Sequence, residues 1–228
     1  MNYTGLDRRA GRGYGNAMIF RDREQAAQLL AGKLAAYKGR HPLVLAIPRG
    51  AVPMARTVAD ALEGEFDVVL VRKLGAPGNA EFAIGAIDET GWAHIGPHAA
   101  SAGADDAYIE RVKACELATI RLRRAQYSPL QPPIDPQGRT VIVIDDGLAT
   151  GSTMLAALHA LRKRAPQKLI CAVPVAPPDT LVNVGAQADQ VVCLHAPENF
   201  QAVGQFYADF GQVEDDEVIA LLSERKKP

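Results

Sequence analysis

Val141-Ile142-Val143-Ile144-Asp145-Asp146-Gly147-Leu148-Ala149-Thr150-Gly151-Ser152-Thr153 is the stretch whose reading decides the fold. Its four consecutive β-branched residues suit a central parallel strand buried on both faces. Two carboxylates then fall at the carboxyl end of that strand, and a loop of small and hydroxyl-bearing residues leads into a helix. Open α/β sheets bind ligands at this edge, where backbone N–H groups converge on an anion at a helix N-terminus. Carboxylates beside a bound phosphate would normally repel it. Asp145 and Asp146 fit if they accept hydrogen bonds from sugar hydroxyls or face a divalent cation. The stretch therefore reads as a site for a phosphorylated sugar. A nucleotide P-loop is excluded, because Ser152 follows Gly151 and no lysine intervenes.

Outward from this strand, the chain alternates strands and helices. Arg21 to Tyr37 reads as an amphipathic helix, with Ala26, Leu29, Leu30, Leu34 and Tyr37 at helical spacing. Leu43 to Ile47 is a short buried strand followed by Pro48-Arg49-Gly50 and a helix from Val52 to Leu62. Phe66 to Val71 reads as the next strand, ending in Arg72-Lys73-Leu74-Gly75-Ala76-Pro77. Two successive strands are thus expected to end in basic, glycine-containing turns. Glu81 to Ile95 has the alternation and the Asp88-Glu89-Thr90-Gly91 turn of a β-hairpin. Ala107 to Tyr127 reads as a charged helix, and Ser128 to Gly138 as a proline-rich linker. Thr153 to Arg164 reads as a helix, with strands at Lys168 to Val175 and Gln190 to Leu194. This alternation implies an α/β fold: a twisted, mostly parallel sheet flanked by helices.

The 228 residues, 48% hydrophobic and 22% charged, are enough for one full core. They read as a flexible N-terminal arm, residues 1–18, and one domain, residues 19–228. Gly5, Arg8, Arg9, Gly11, Arg12, Gly13 and Gly15 make the arm a solvated terminus, with an RNA-touching tail as the other reading. A formal net charge of −1 argues against a global field for nucleic acid or anionic membranes. Cys115, Cys171 and Cys193 are far apart and form neither a disulfide framework nor a C-x-x-C site. No signal-peptide core or apolar stretch of about 20 residues is present, so the expected location is cytoplasmic, without membrane contact. A homo-oligomer is compatible with this composition.

The Asp145 to Thr153 run resembles the phosphoribosyl-diphosphate (PRPP) signature of type I phosphoribosyltransferases. The resemblance extends over roughly Ile19 to the C-terminus, through Phe20-Arg21-Asp22-Arg23, Ile47-Pro48-Arg49-Gly50 and Arg72-Lys73-Leu74-Gly75-Ala76-Pro77. It is closest in character to a bacterial subgroup of predicted phosphoribosyltransferases. It implies the type I fold, with a flexible hairpin flap over the site and a small C-terminal hood at roughly 195–212, followed by a helix. It also implies that Asp145 and Asp146 hold the ribose hydroxyls and that Ala149, Thr150, Gly151, Ser152 and Thr153 hold the 5′-phosphate. Arg49, Gly50, Arg72 and Lys73 would face the departing pyrophosphate, and the loop after the second strand would carry a cis peptide between non-proline residues. The implied cofactor is Mg²⁺, with Asp145, Asp146 and Asp209 as its candidate ligands. By the same resemblance Phe200 would stack on a nucleobase-like acceptor, while Phe206, Tyr207 and Phe210 read as core. Ala149 stands where purine enzymes of this family have an acid, which leaves the acceptor open. The alternative function on the same scaffold is a PRPP-binding regulator of RNA or DNA.

Overall fold

The computed structural model describes residues 19–127 and 133–224. The expected arm, residues 1–18, and residues 128–132 of the linker lie outside the described residues. In chain order the elements are α1 (Arg23–Lys33), β1 (Leu43–Ala46), α2 (Ala51–Leu62), β2 (Glu65–Val68), β3 (Val71–Ala76), β4 (Asn79–Asp88) and β5 (Ala93–Ile95). They continue with α3 (Asp106–Tyr127), β6 (Thr140–Ile144), α4 (Ser152–Arg162), β7 (Lys168–Val175), α5 (Pro178–Gly185), β8 (Gln190–His195) and α6 (Asp215–Ser223).

Five strands form one parallel sheet in the order β2-β1-β6-β7-β8. The Val141-Ile142-Val143-Ile144 strand is its centre, and all four side chains are at 0% exposure. Alternation divides the sheet between two cores, because successive strand residues point to opposite faces. Val44, Ala46, Ile142, Ile144, Ile170 and Ala172 pack with Leu30, Leu34, Met54 and Val58 of the α1–α2 side. Leu43, Leu45, Val141, Val143, Leu169 and Cys171 pack with Met154, Leu158, Leu161 and Val184 on the α4–α5 side. Asp22 caps α1 by accepting the Gln25 N–H at 2.8 Å, a contact that satisfies one of the free donors of the first turn. The helix therefore begins later than the periodicity of Arg21 to Tyr37 suggests, and its last turn is a 3₁₀ segment. Helix α5, which the sequence reading did not identify, begins at Pro178 and is shorter than a periodicity window.

One strand assignment is corrected. The apolar run Phe66 to Val71 leaves the parallel sheet after Val69, whose N–H still reaches the Ala46 carbonyl at 2.9 Å. The Leu70 N–H goes to the Glu89 carboxylate at 3.2 Å, and Val71 starts a second sheet. Arg72, Lys73 and Gly75 thus lie within β3, in an antiparallel sheet of order β3-β4-β5, and not in a turn. A continuous apolar run carries no periodic signal where the chain changes sheets. The expected hairpin is present as β4 and β5, with β4 also paired to β3.

Beyond β8, residues 196–213 hold one short 3₁₀ turn, Val203–Phe206, and close over the strand ends. They are tied to the segment before α1. The Phe20 N–H donates to the Phe206 carbonyl at 2.7 Å, and the Ala208 and Asp209 N–H groups donate to the Phe20 and Arg21 carbonyls at 2.8 and 2.9 Å.

Candidate functional site

The carboxyl ends of β1 and β6 open into a cleft of about 880 Å³, where the topology of an open parallel sheet places ligands. Its floor is Asp145, Asp146 and the loop to Gly151; Pro48, Arg49 and Gly50 form one side, and Lys73 and Phe82 reach in from the β3-β4-β5 sheet, which stands where the flap is expected. Asp145 and Asp146 are adjacent and largely shielded from solvent. Burial, then the neighbouring Asp146 charge, pushes the Asp145 carboxyl well above the usual range, against the opposing pull of the Asp146 N–H, Lys73 and Arg23. Burial raises Asp146 as well, and Arg23 opposes it most strongly. Burial disfavours the charged form of both acids, and Arg23 and Lys73 work against it.

Asp146 is the most heavily tied group in the cleft. Arg23 Nε and Nη2 donate to its Oδ2 at 3.0 and 2.9 Å, and the Tyr207 hydroxyl donates to its backbone carbonyl at 2.6 Å. Arg23 Nη1 also reaches the Gly211 carbonyl at 2.5 Å, and its guanidinium lies 3.9 Å over the Phe210 ring. One arginine thus joins α1, the carboxylates and the hood. The sequence reading did not single it out as a site residue. Its signals were its place in the Phe20-Arg21-Asp22-Arg23 run and a basic residue in the first turn of a helix, where the helix dipole disfavours one.

Gly50 shows how closely the loops approach. A Cβ built there would lie 2.1 Å from Asp146 Oδ2, so no other residue fits without moving the carboxylate. The cis peptide bond among the described residues is Pro48-Arg49, whose amide nitrogen belongs to arginine; it follows the first strand, not the second as expected. Arg49 lines the cleft and is paired with Glu214 at 3.3 Å and Asp215 at 3.6 Å, at the start of α6.

The loop after Asp146 is pinned from beneath. The Leu148 N–H donates to the Val175 carbonyl at 2.9 Å, and the Thr180 hydroxyl donates to the Ala149 carbonyl at 2.7 Å. Gly151, at φ 74°, turns the chain into α4, a left-handed conformation that glycine adopts without a steric penalty. Ala149, Thr150, Gly151 and Thr153 line the cleft. Ser152 is buried, and its hydroxyl shares a 3.0 Å hydrogen bond with that of Thr150.

Besides Ser152, which is not among the residues lining the cleft, three expected site residues are placed elsewhere. Adjacent residues of a strand face opposite ways, so Lys73 enters the cleft while Arg72 turns to α3 and pairs with Glu116 at 2.6 Å. Phe200 packs half-buried against Phe206, with ring centroids 5.5 Å apart, and is not among the residues lining the cleft. Phe210, read as core, is the hood aromatic that does line it. Asp209 is exposed; its Oδ1 accepts the Gly211 N–H at 3.1 Å, and it does not reach the cleft. No group of three or more His, Cys, Asp or Glu side chains arranged to hold a metal occurs among the described residues. The two adjacent carboxylates alone remain as protein donors, which suits a magnesium ion that takes one or two carboxylates and completes its shell with water and substrate oxygens.

The family model described as the phosphoribosyl transferase domain matches residues 17–210. A Mycobacterium tuberculosis (strain ATCC 25618 / H37Rv) protein, provisionally named a phosphoribosyl transferase, is 39% identical over 205 residues, which cover 90% of this chain and 46% of that protein. The chain therefore spans about half the length of the curated relatives it matches. The crystal structure of TT1426 from Thermus thermophilus is 45% identical, with a TM-score of 0.77 over 92% of this chain and 100% of that one.

Proposed function

The chain belongs to the phosphoribosyl transferase domain family, and on that premise we propose that it transfers the 5-phosphoribosyl group of PRPP to a nitrogenous, nucleobase-like acceptor with release of pyrophosphate. The observation that carries this reading is the distribution of charge in the cleft: two carboxylates at the centre, a hydroxyl-bearing helix start on one side and Arg49 and Lys73 on the other. Those three groups match the ribose hydroxyls, the 5′-phosphate and the pyrophosphate of one substrate.

Asp145 and Asp146 accept hydrogen bonds from the ribose hydroxyls and hold the sugar with its anomeric carbon exposed to attack. The loop from Ala149 to Thr153 offers backbone and hydroxyl donors, and the positive end of α4, to the 5′-phosphate. Arg49 and Lys73 stabilise the negative charge that grows on pyrophosphate as the bond to the anomeric carbon lengthens. Magnesium, held through Asp145 and Asp146, would add to that charge stabilisation. Fixed charges aimed at a leaving group are worth about 2–4 kcal/mol each in a site that excludes water. The acceptor enters between the hood, at Gln201 and Val203, and Phe82 of the flap sheet, which is 47% exposed.

The test is a screen of nucleobases for pyrophosphate release from PRPP with magnesium, alongside calorimetry of PRPP binding. Binding with turnover on at least one base is the expected result. Unchanged PRPP affinity after replacement of both aspartates by alanine would sink the assignment.

A further inference from the structure

A second cavity, of about 760 Å³, lies between the flap sheet and helices α4 and α5, walled by Trp92, His94, Leu155, His159, Asn183 and Gln187. Ala83, His98 and Thr150 line both this cavity and the cleft. Among the described residues that line it there is no lysine, arginine, aspartate or glutamate. Its ionisable groups are the His94, His98 and His159 imidazoles, so the walls offer an anionic ligand no partner of fixed charge and suit a neutral one.

One wall is flat. The Trp92 and His159 rings stack with centroids 3.5 Å apart and planes 10° from parallel. Asp88, at 0% exposure, holds the turn that carries Trp92, since its Oδ1 accepts the Thr90 and Trp92 N–H groups at 2.7 and 3.1 Å. His159 Nε2 is buried and has no hydrogen-bond partner among the described residues. Burial and Lys163 favour the uncharged imidazole, against the pull of Asp88. Leu155 and Val182 supply apolar surface. The Asn183 and Gln187 amides, also in the wall, supply both donors and acceptors. A stacked aromatic pair, apolar side chains and amide groups suit a planar molecule with polar edges.

We propose that this second cavity binds an uncharged, planar nitrogen heterocycle, at a site distinct from the sugar-phosphate cleft, and that its occupancy is coupled to the phosphate loop through Thr150. Thr150 faces both cavities, and its hydroxyl is bonded to that of Ser152, which lines the second cavity. A ligand that moves this hydroxyl pair alters PRPP affinity, and PRPP alters the affinity of that ligand by the same factor. Binding at the second cavity does not itself depend on the PRPP reading of the cleft.

Trp92 is the sole tryptophan of the chain, so intrinsic fluorescence reports on this cavity directly. The experiment titrates the full chain with adenine, hypoxanthine, uracil and nicotinamide, and with the corresponding 5′-monophosphates. The expected result is a saturable Trp92 response to at least one free heterocycle, at least tenfold weaker for its monophosphate and for N183L. The response should persist when Asp145 and Asp146 are both alanine. If N183L does not fold, Q187L, placed beyond the end of α5, carries the same comparison. Absence of a saturable response to every free heterocycle would overturn the proposal. So would a response that disappears with the two aspartates, which would report the cleft alone. Shielding of Trp92 that rises with protein concentration, together with dimers in sedimentation, would make the cavity an interface between copies and would also overturn it. Loss of PRPP binding with the Trp92 response intact would count against the proposed function only.

Discussion

The cleft at the strand ends and the second cavity meet at Ala83, His98 and Thr150, yet Arg23, Arg49, Lys73, Asp145 and Asp146 line the first while no residue of fixed charge among those described lines the second. The difference follows from how each is built. The cleft collects the ends of parallel strands and the start of α4, where unpaired backbone donors favour ionic ligands. The second cavity lies where the flap sheet packs on helix sides, so it is walled by rings, aliphatic groups and amides. Neighbouring cavities of similar volume can therefore select ligands of opposite character, with one hydroxyl-bearing loop as their common wall.

The largest effect that would sharpen this contrast is expected from replacing both Asp145 and Asp146 with alanine. Charge-assisted hydrogen bonds are worth about 1.5–3 kcal/mol each, so PRPP affinity should fall at least about a hundredfold by calorimetry. Trp92 fluorescence in the same variant should be unaltered; a joint loss would mean that the two cavities are one site.

Gly50→Ala should come next. The added carbon has only 2.1 Å to Asp146 Oδ2, and forced overpacking costs about 1–3 kcal/mol. Thermal unfolding should shift downward, and PRPP binding should weaken by more than about tenfold. Wild-type values for both would show that the first loop does not press on the carboxylates.

A pair of single substitutions tests the strand alternation. Lys73→Gln should lower kcat/KM by about 2–4 kcal/mol if Lys73 stabilises the leaving group. Arg72→Gln removes only the half-exposed pair with Glu116, which is worth about 0–1 kcal/mol of stability. Equal losses of activity would contradict the opposite facing of the two side chains.

The smallest expected effect is a divergence in pH dependence. Asp145 is raised in the folded chain, so the native state holds more protons than the unfolded one above the ordinary carboxylate range, near about pH 4. The unliganded fold therefore loses stability as pH rises through that window, by at most about 1.4 kcal/mol per pH unit for one proton. Asp145→Asn should flatten this slope in denaturant titrations. His159 is lowered and works in the other direction. Its contribution is complete above the ordinary imidazole range, near about pH 6.5, and is lost as pH falls toward its depressed native value. A His159→Asn variant should lose that acid sensitivity, and an unchanged profile would remove His159 from the titration.

Much of the architecture is legible in the sequence. The strand Val141 to Ile144 and its acidic end were readable because a β-branched run has one stable use in a sheet covered on both sides. The start of α4 was readable from Thr-Gly and Ser-Thr, and β7 from its unbroken apolar run. The break between β2 and β3 was not, since Val69, Leu70 and Val71 are equally apolar whichever sheet they join. Arg72 and Lys73 are adjacent in the chain, so only the strand conformation assigns them to opposite sides. Phe200 and Phe210 likewise have the same chemistry; which ring meets the cleft depends on how the hood folds back along Phe20 and Arg21.

The sequence by itself determined the class of the fold, the carboxylate pair at a strand end and the small-residue loop that leads into α4, because these depend on residue types at fixed local spacing. Only the tertiary structure decided that Arg23 closes on Asp146, that Gly50 leaves room for that carboxylate, and that Trp92 and His159 stack in the wall of a cavity that Thr150 also lines. Those contacts join residues far apart in the chain. Their geometry is set by packing between elements and not by any local pattern.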